Sequence, residues 1–335
     1  MNELVTDASV WSGKELVNRP DWLHELTEQE ITELRTAVDT TSGPSSKNVD
    51  RDTFLLPMLA NRLKKIQNSL EFESGATLIR GFPVKQLSQP QITNAFLSIC
   101  HHIGTPVSQS ATGETVFHVQ DSGYQDDDPR TRGPNTNKKL SFHTDRCDVI
   151  GFLCLKQAQE GGENCVVSSS QLYNQIARKR PDLLFELKQP FYYKRHNVDL
   201  GNQSPSCRQP IFSFTADRFA CSFLRVLIDR AYASHETPAM TARQLEALDF
   251  LEEICEQPEN QYRFYQQPGD ILLLNNWTTL HRRSEFVDHV DPAEKRHLLR
   301  VWLSVPNSRP IDPLFQDNFG ATEAGALRGG MRACS

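Results

Sequence analysis

Beyond about residue 115, the apolar residues of this chain come in short runs broken by Gly, Pro, Asn and Asp. Such runs are too brief for ordinary helices and read as strands bounded by turns. They include Thr115–Val119, Leu140–Asp145, Val149–Leu155, Cys165–Ser168, Ile211–Thr215, Arg263–Gln266, Ile271–Leu274 and Arg296–Val305. Helical spacing interrupts them at Ser170–Lys179 and Thr241–Glu256. Many short strands with Gly/Pro turns predict a barrel or jelly roll.

The N-terminal part is patterned differently. Thr27 followed by Glu30 forms a capping-box signature ahead of Ile31, Leu34 and Val38. Asp39 to Asp50 is polar and reads as a loop. Leu55, Leu59, Leu63, Ile66 and Leu70 repeat at helical spacing. Gly75–Gly81 reads as a strand, and Gln91–Ile103 as a helix stopped by Gly104. No internal repeat or linker separates these parts. The expectation is one domain over residues 1–335: a mainly helical 1–74, a jelly-roll core with inserted helices over 75–305, and a tail over 306–335.

Composition narrows the function classes. The net charge of −6 carries no basic stripe interleaved with aromatics, which argues against nucleic acid. The longest apolar runs, such as Ile271–Leu274, are far too short to cross a bilayer. The N-terminus lacks a basic segment followed by an apolar one, so a cytoplasmic protein is the expectation. None of the eight cysteines forms a CxxC pair, and they read as reduced thiols. HExxH, GxSxG, GxGxxG and Walker-type loops are all missing from the sequence.

Three segments can carry chemistry. In Leu140–Asp145, His143 and Asp145 stand two apart, so on a strand both side chains leave one face. One imidazole and one carboxylate could then serve a single ion. A histidine from a distant strand would complete a two-His, one-carboxylate set, which suits iron(II) and oxygen. With ten histidines and 42 acidic residues, about one chance match of this form is expected, and His289-Val-Asp291 is another. His289 stands in the charged stretch EFVDHVDPAEKR, whereas His143 follows a strand-like run. By itself the His143 pair fits a structural role equally well. The second segment, from Pro268 to His281, is a Pro-Gly-Asp turn feeding an apolar strand that ends near His281. The third, Lys295–Ser304, puts Arg296, Leu298, Arg300, Trp302 and Ser304 on one strand face. Two arginines on a buried face need anionic partners, which could equally be structural carboxylates.

The order His-x-Asp, a long gap, His281, then Arg296 fifteen positions on is more specific than any of its parts. With it, the segments GATLIRGFPV, FHTDRCDVIGFLCLKQAQEGGEN, NNWTTLHRR and KRHLLRVWLS make the chain resemble the taurine dioxygenase (TauD/TfdA-like) family, of which clavaminate synthase is a relative. The resemblance spans nearly the whole chain. It implies a double-stranded β-helix, a jelly roll with flanking helices. It implies Fe(II), 2-oxoglutarate as co-substrate and O2, with decarboxylation to succinate and CO2 coupled to C–H oxidation, most often hydroxylation. His143, Asp145 and His281 match the iron ligands. Arg296 matches the arginine that pairs with the distal carboxylate of 2-oxoglutarate. Arg300 matches a neighbour that in several relatives binds an anionic group of the substrate. Asn164 stands where relatives carry a Thr or Ser that helps hold 2-oxoglutarate, an amide in place of a hydroxyl.

Arg146 and Asp148, just past the metal pair, are further candidate substrate contacts, with a loop ion pair as the plainer reading. The implied partner is a small amino-acid-like or anionic molecule, in keeping with secondary metabolism; a homo-oligomer is compatible with the sequence. An aspartate at position 145, where related halogenases carry Gly or Ala, argues against halogenation and leaves desaturation or ring formation open. Two rivals stand beside this reading. A zinc hydrolase could use the same three ligands but does not explain Arg296. A catalytically silent jelly-roll binding protein would explain none of the four.

Overall fold

The computed structural model describes residues 3–41, 54–124, 133–195, 199, 204–234 and 236–332. Its larger sheet runs in the order Leu23–Glu25, Ala76–Arg80, Ile271–Asn275, Val149–Lys156, His297–Ser304 and Thr105–Val107, with Val116–Val119 also paired to His297–Ser304. All its pairings are antiparallel except Leu23–Glu25 beside Ala76–Arg80. The smaller sheet sets Asn164–Ser168 between Tyr262–Phe264 and Thr279–Arg283. The β-rich, helix-flanked class expected from the short apolar runs is the one observed.

Strand alternation builds four layers. Ile271–Asn275 is buried along its whole length, so both faces must be apolar. Leu272 and Leu274 join Leu78, Ile150, Trp302 and Val166 in the core between the two sheets. Ile271 and Leu273 face the other way, onto Leu63 and Ile66 of helix Leu59–Phe72 and Phe96 and Ile99 of helix Gln89–Ile103. The outer face of the smaller sheet, through Cys165, Val167 and Leu280, packs on helices Ser169–Lys179, Pro181–Leu187, Arg225–Tyr232 and Ala242–Glu256. The sheets thus form the inner pair of layers and the helices the outer pair. No helix among the described residues is long and apolar enough to cross a membrane.

Several expectations are adjusted. The capping box is present, with Thr27 N–H donating to Glu30 at 2.8 Å, but its helix continues to Thr41. It therefore covers the first part of the expected Asp39–Asp50 loop; residues 42–50 lie outside the described set. The N-terminal part is not only helical, because Leu23–Glu25 adds a parallel edge strand to the larger sheet. Gly104 does end its helix, though with extended backbone (φ −170°). What demands glycine there is proximity, since a Cβ would lie 2.5 Å from the Ser304 carbonyl oxygen. Leu140–Asp145 forms no continuous strand; only His143 pairs, in one bridge to His281. The seven cysteines in the described set are free and buried.

The segment after residue 305 is packed into the body. Arg328 Nε donates to Asp148 Oδ1 at 2.6 Å, with side chains 0% and 2% exposed. Asp148 also accepts from Trp277 Nε1 and, through Oδ2, from the Val305 N–H, each at 2.8 Å. Gly330 N–H donates to the Arg146 carbonyl at 2.8 Å, tying the same segment to the metal-pair loop. Breaking such a pair strands a buried charge, which costs about 3–5 kcal/mol. Arg328→Met is therefore expected to lower unfolding free energy by about that amount in denaturant titration. A loss below about 1 kcal/mol would show that the pair is not a clamp.

Candidate active site

Two chain segments deliver the central cluster. His281 sits in the middle of the buried strand Thr279–Arg283. His143 is held opposite by two backbone hydrogen bonds of 3.0 Å, one in each direction. The imidazoles come to 4.4 Å between centroids. The chain then leaves that bridge: Thr144 N–H donates to the Phe223 carbonyl at 2.8 Å and Asp145 N–H to the Asn276 side-chain oxygen at 2.9 Å. Asn276, in the turn between Ile271–Asn275 and Thr279–Arg283, thereby aims Asp145 at the two histidines.

The atoms present suit a cation. One ligand atom from each of His143, Asp145 and His281 lies within 4.8 Å of the others. Asp145 Oδ2 is 3.4 Å from His281 Nε2 and 3.8 Å from His143 Nε2, and is buried without a hydrogen-bond partner. A buried carboxylate oxygen left in that state is costly unless an ion answers it. His143 Nδ1 lies 2.8 Å from the Ser141 carbonyl, which can only accept, so the proton is on Nδ1 and Nε2 is a free lone pair. Burial, then the neighbouring His281, lowers the His143 pKa to about 4, so the ring is neutral at physiological pH. Burial opposes ionisation of Asp145, but the Arg300 guanidinium and the two imidazoles outweigh it and hold the carboxyl well below its usual range. Two imidazoles and one carboxylate on one side of an ion leave other positions open, the arrangement of non-haem iron oxygenases.

His289 and Asp291 make no such group; among the described residues the only candidate metal cluster is His143, Asp145 and His281. Asp291 instead caps the turn Pro292–Glu294, accepting from Ala293 N–H at 2.9 Å.

Beside the cluster lies a cavity lined by Arg282, Arg283, Arg296 and Arg300, with Asp145 as its one lining carboxylate among the described residues. Arg296, Leu298 and Arg300 all reach it, as the period of the strand requires. Arg300 Nε donates to Gln109 Oε1 at 2.7 Å, and Nη1 lies 3.6 Å from Asp145 Oδ1. Among the described residues Arg296 has no carboxylate within ion-pair distance, and its buried Nη1 has no hydrogen-bond partner. Burial lowers its pKa to about 10, which still leaves it charged at neutral pH. Its guanidinium lies 5.1 Å from the Phe286 ring centre, and Gly162 backs it closely: a Cβ there would sit 3.2 Å from Arg296 Nε, at φ +74°. Asn164 lines the same cavity, its amide 3.4 Å from Gln266 Oε1.

The two remaining candidates are placed elsewhere. Asp148 is not in the cavity wall; Arg328, Trp277 and Val305 use its oxygens, so the substrate-contact expectation for it is corrected to a structural one. Arg146 lines a second cavity, on the far side of Asp145. Gln109, Gly162, Asn276 and Phe286 are contributors that motif reading did not single out. Gly162 and Asn276 lie inside the quoted segments FHTDRCDVIGFLCLKQAQEGGEN and NNWTTLHRR; Gln109 and Phe286 lie outside them.

A jelly roll with this cluster and a partnerless buried arginine defines the 2-oxoglutarate-dependent class of iron oxygenases. The chain belongs to the taurine catabolism dioxygenase TauD, TfdA family, whose pattern matches residues 42–302. It is 30% identical to FR-33289 synthase of Streptomyces rubellomurinus over 311 residues, covering 91% of each chain. It is 26% identical to the taurine hydroxylase-like protein SAT17 of Stachybotrys chartarum, covering 93% of this chain and 85% of that one. Among solved structures, asparagine oxygenase with Fe(II), 3-hydroxyasparagine and succinate superposes with TM-score 0.65 at 16% identity, covering 84% of this chain and 93% of the other. The non-haem iron oxygenase OrfP with iron and 2-oxoglutarate gives 0.64 at 15% identity, covering 84% and 94%. The protein is thus a 2-oxoglutarate-dependent dioxygenase using Fe(II) and O2.

If the central cluster holds the iron, Asp145→Ala should cut iron retention after gel filtration by more than about tenfold. Asp291→Ala should retain as much iron as the parent protein. Equal losses in the two variants would mean that the wrong pair has been chosen.

Proposed function

We propose that His143, Asp145 and His281 hold Fe(II), that Arg296 receives the distal carboxylate of 2-oxoglutarate, and that the enzyme hydroxylates a small amino-acid-like or anionic metabolite. The observation that carries this reading is Arg296, a buried guanidinium with no carboxylate partner and an orphaned Nη1 in the cavity beside the metal cluster. Such a group is expensive to bury and is answered by an anion from outside the chain. Structural salt bridges are available elsewhere in the protein, for instance Arg309 with Glu71 at 3.0 Å, but among the described residues Arg296 has none.

When bound, iron(II) with oxygen supplies the oxidative decarboxylation of 2-oxoglutarate to succinate and CO2 and the C–H oxidation coupled to it. The chain supplies position and dryness. Arg296 fixes the remote end of the co-substrate, stacked on Phe286 and given room by Gly162. Asn164 offers an amide donor along the cavity wall. Arg300 orients Asp145 with one nitrogen and leaves Nη2, buried and partnerless, for an anionic group of the substrate. Val119, Leu140, Phe152, Leu272 and Leu298 line the same cavity and exclude water from it. The hydroxylated amino acids in the asparagine oxygenase and OrfP structures support an amino-acid-like substrate and hydroxylation as the outcome. FR-33289 synthase supports a place in secondary metabolism.

Anaerobic addition of Fe(II) and 2-oxoglutarate should produce a weak visible charge-transfer band, and air should then yield succinate. A folded protein giving neither would refute the assignment. Arg296→Gln should raise the KM for 2-oxoglutarate by about 100-fold, the scale of two hydrogen bonds to a charged group. A KM within twofold of the parent would remove Arg296 from the binding site.

A further inference from the structure

The cavity on the far side of Asp145 shares only that residue with the cavity containing Arg296. Its wall carries Arg146, Lys194 and Arg195. Lys194 is answered by the exposed Glu236 at 3.0 Å. The two arginines converge instead on one buried carboxylate: Asp199 Oδ2 lies 2.7 Å from Arg146 Nη1 and 3.7 Å from Arg195 Nη1. Their other hydrogen-bond partners among the described residues are neutral groups. Arg146 donates to Asn318 Oδ1 at 3.1 Å, and Arg195 to the carbonyls of Ser204 at 2.9 Å and Asp317 at 2.8 Å. Each guanidinium keeps a buried nitrogen without a hydrogen-bond partner, Nε in Arg146 and Nη1 in Arg195, although the Arg195 side chain is only 8% exposed.

Among the described residues, two half-buried guanidiniums share one paired carboxylate, Asp199, and each keeps an incomplete set of partners. Hydrogen-bonded carbonyls fix a guanidinium in place without cancelling its charge. Each arginine therefore keeps one N–H group, Nε in Arg146 and Nη1 in Arg195, able to donate to an oxyanion. The second cavity begins at Asp145, so a molecule spanning it would have one end at the metal cluster and the other at the arginines.

We propose that Arg146 and Arg195 form an anion subsite that binds an oxyanion group of the substrate, remote from the carbon that is oxidised. This rests on the reading of Asp145 as a metal ligand only for the position of the reacting carbon; the anion site itself does not need the metal. It makes Arg195 a specificity determinant and assigns the substrate two ends of different chemistry.

The test uses the metal-free full chain and inorganic phosphate as the probe, at constant ionic strength, with calorimetric titration and the rise of the thermal midpoint as readouts. The parent protein is expected to bind phosphate, and Arg195→Gln to weaken binding at least about tenfold. Asp199→Asn removes the competing carboxylate and should tighten phosphate severalfold, and Arg195→Gln should cost the same factor in an Arg296→Gln background, where phosphate held by that arginine is removed. Equal affinity in the parent and Arg195→Gln would overturn the proposal, as would a loss confined to Arg296→Gln. Should Arg195→Gln fail to fold, absence of any gain in Asp199→Asn overturns it. Failure of the parent protein to retain iron would sink the metal assignment and leave the phosphate result standing, so the two readings fail separately.

Discussion

The pair of backbone hydrogen bonds between His143 and His281 is the constraint on which the site depends. Among the described residues it is the one β-bridge of the loop carrying the first two candidate ligands, with Leu140 N–H to the Arg283 carbonyl as a further bond to the same strand. Because side chains alternate along paired strands, slipping this bridge by one residue would turn one imidazole away from the other. The bridge survives because it sits on a strand already fixed along its length to Asn164–Ser168. Asp145 is then aimed by a different contact, from Asn276. Rigidity reaches the cluster from the sheet, and direction comes from a turn.

Much of this arrangement was legible in the residues. The layers followed from short apolar runs, and the common face of Arg296 and Arg300 followed from strand period. His281 at the end of an apolar run, with Arg296 after it, separated His143 and Asp145 from the pair of equal form at His289 and Asp291. What could not be read were partners distant in sequence. Leu140–Asp145 alternates like a strand, yet its backbone groups are satisfied in turn by Arg283, His281, Phe223 and Asn276, which no local pattern specifies. Asp148 looked like a site residue because it stands three positions from Asp145. Its partner Arg328 is 180 residues away. Gln109, likewise, holds Arg300 from 191 residues away.

The cavity also shows how a protein keeps cations available for a ligand. Carboxylate partners would stabilise buried arginines but would neutralise them. Here aromatic faces do much of the supporting. Phe286 lies against both Arg283, at 4.5 Å, and Arg296, at 5.1 Å. Arg300 lies 4.9 Å from Phe117 and 5.0 Å from Trp302. A ring face attracts a guanidinium without supplying a counter-charge, so the field in the cavity stays positive.

The Arg328–Asp148 clamp bears on the order in which the protein is completed. Ribosomal synthesis proceeds from the N-terminus, at about 5–20 residues per second. Asp148 therefore waits while a further 180 residues are made before its buried counter-ion exists. Until then the carboxylate must stay hydrated, and the loop that bears His143 and Asp145 cannot close over its final core. The metal-pair loop is among the earlier parts of the sheet region to be made and among the last to be consolidated.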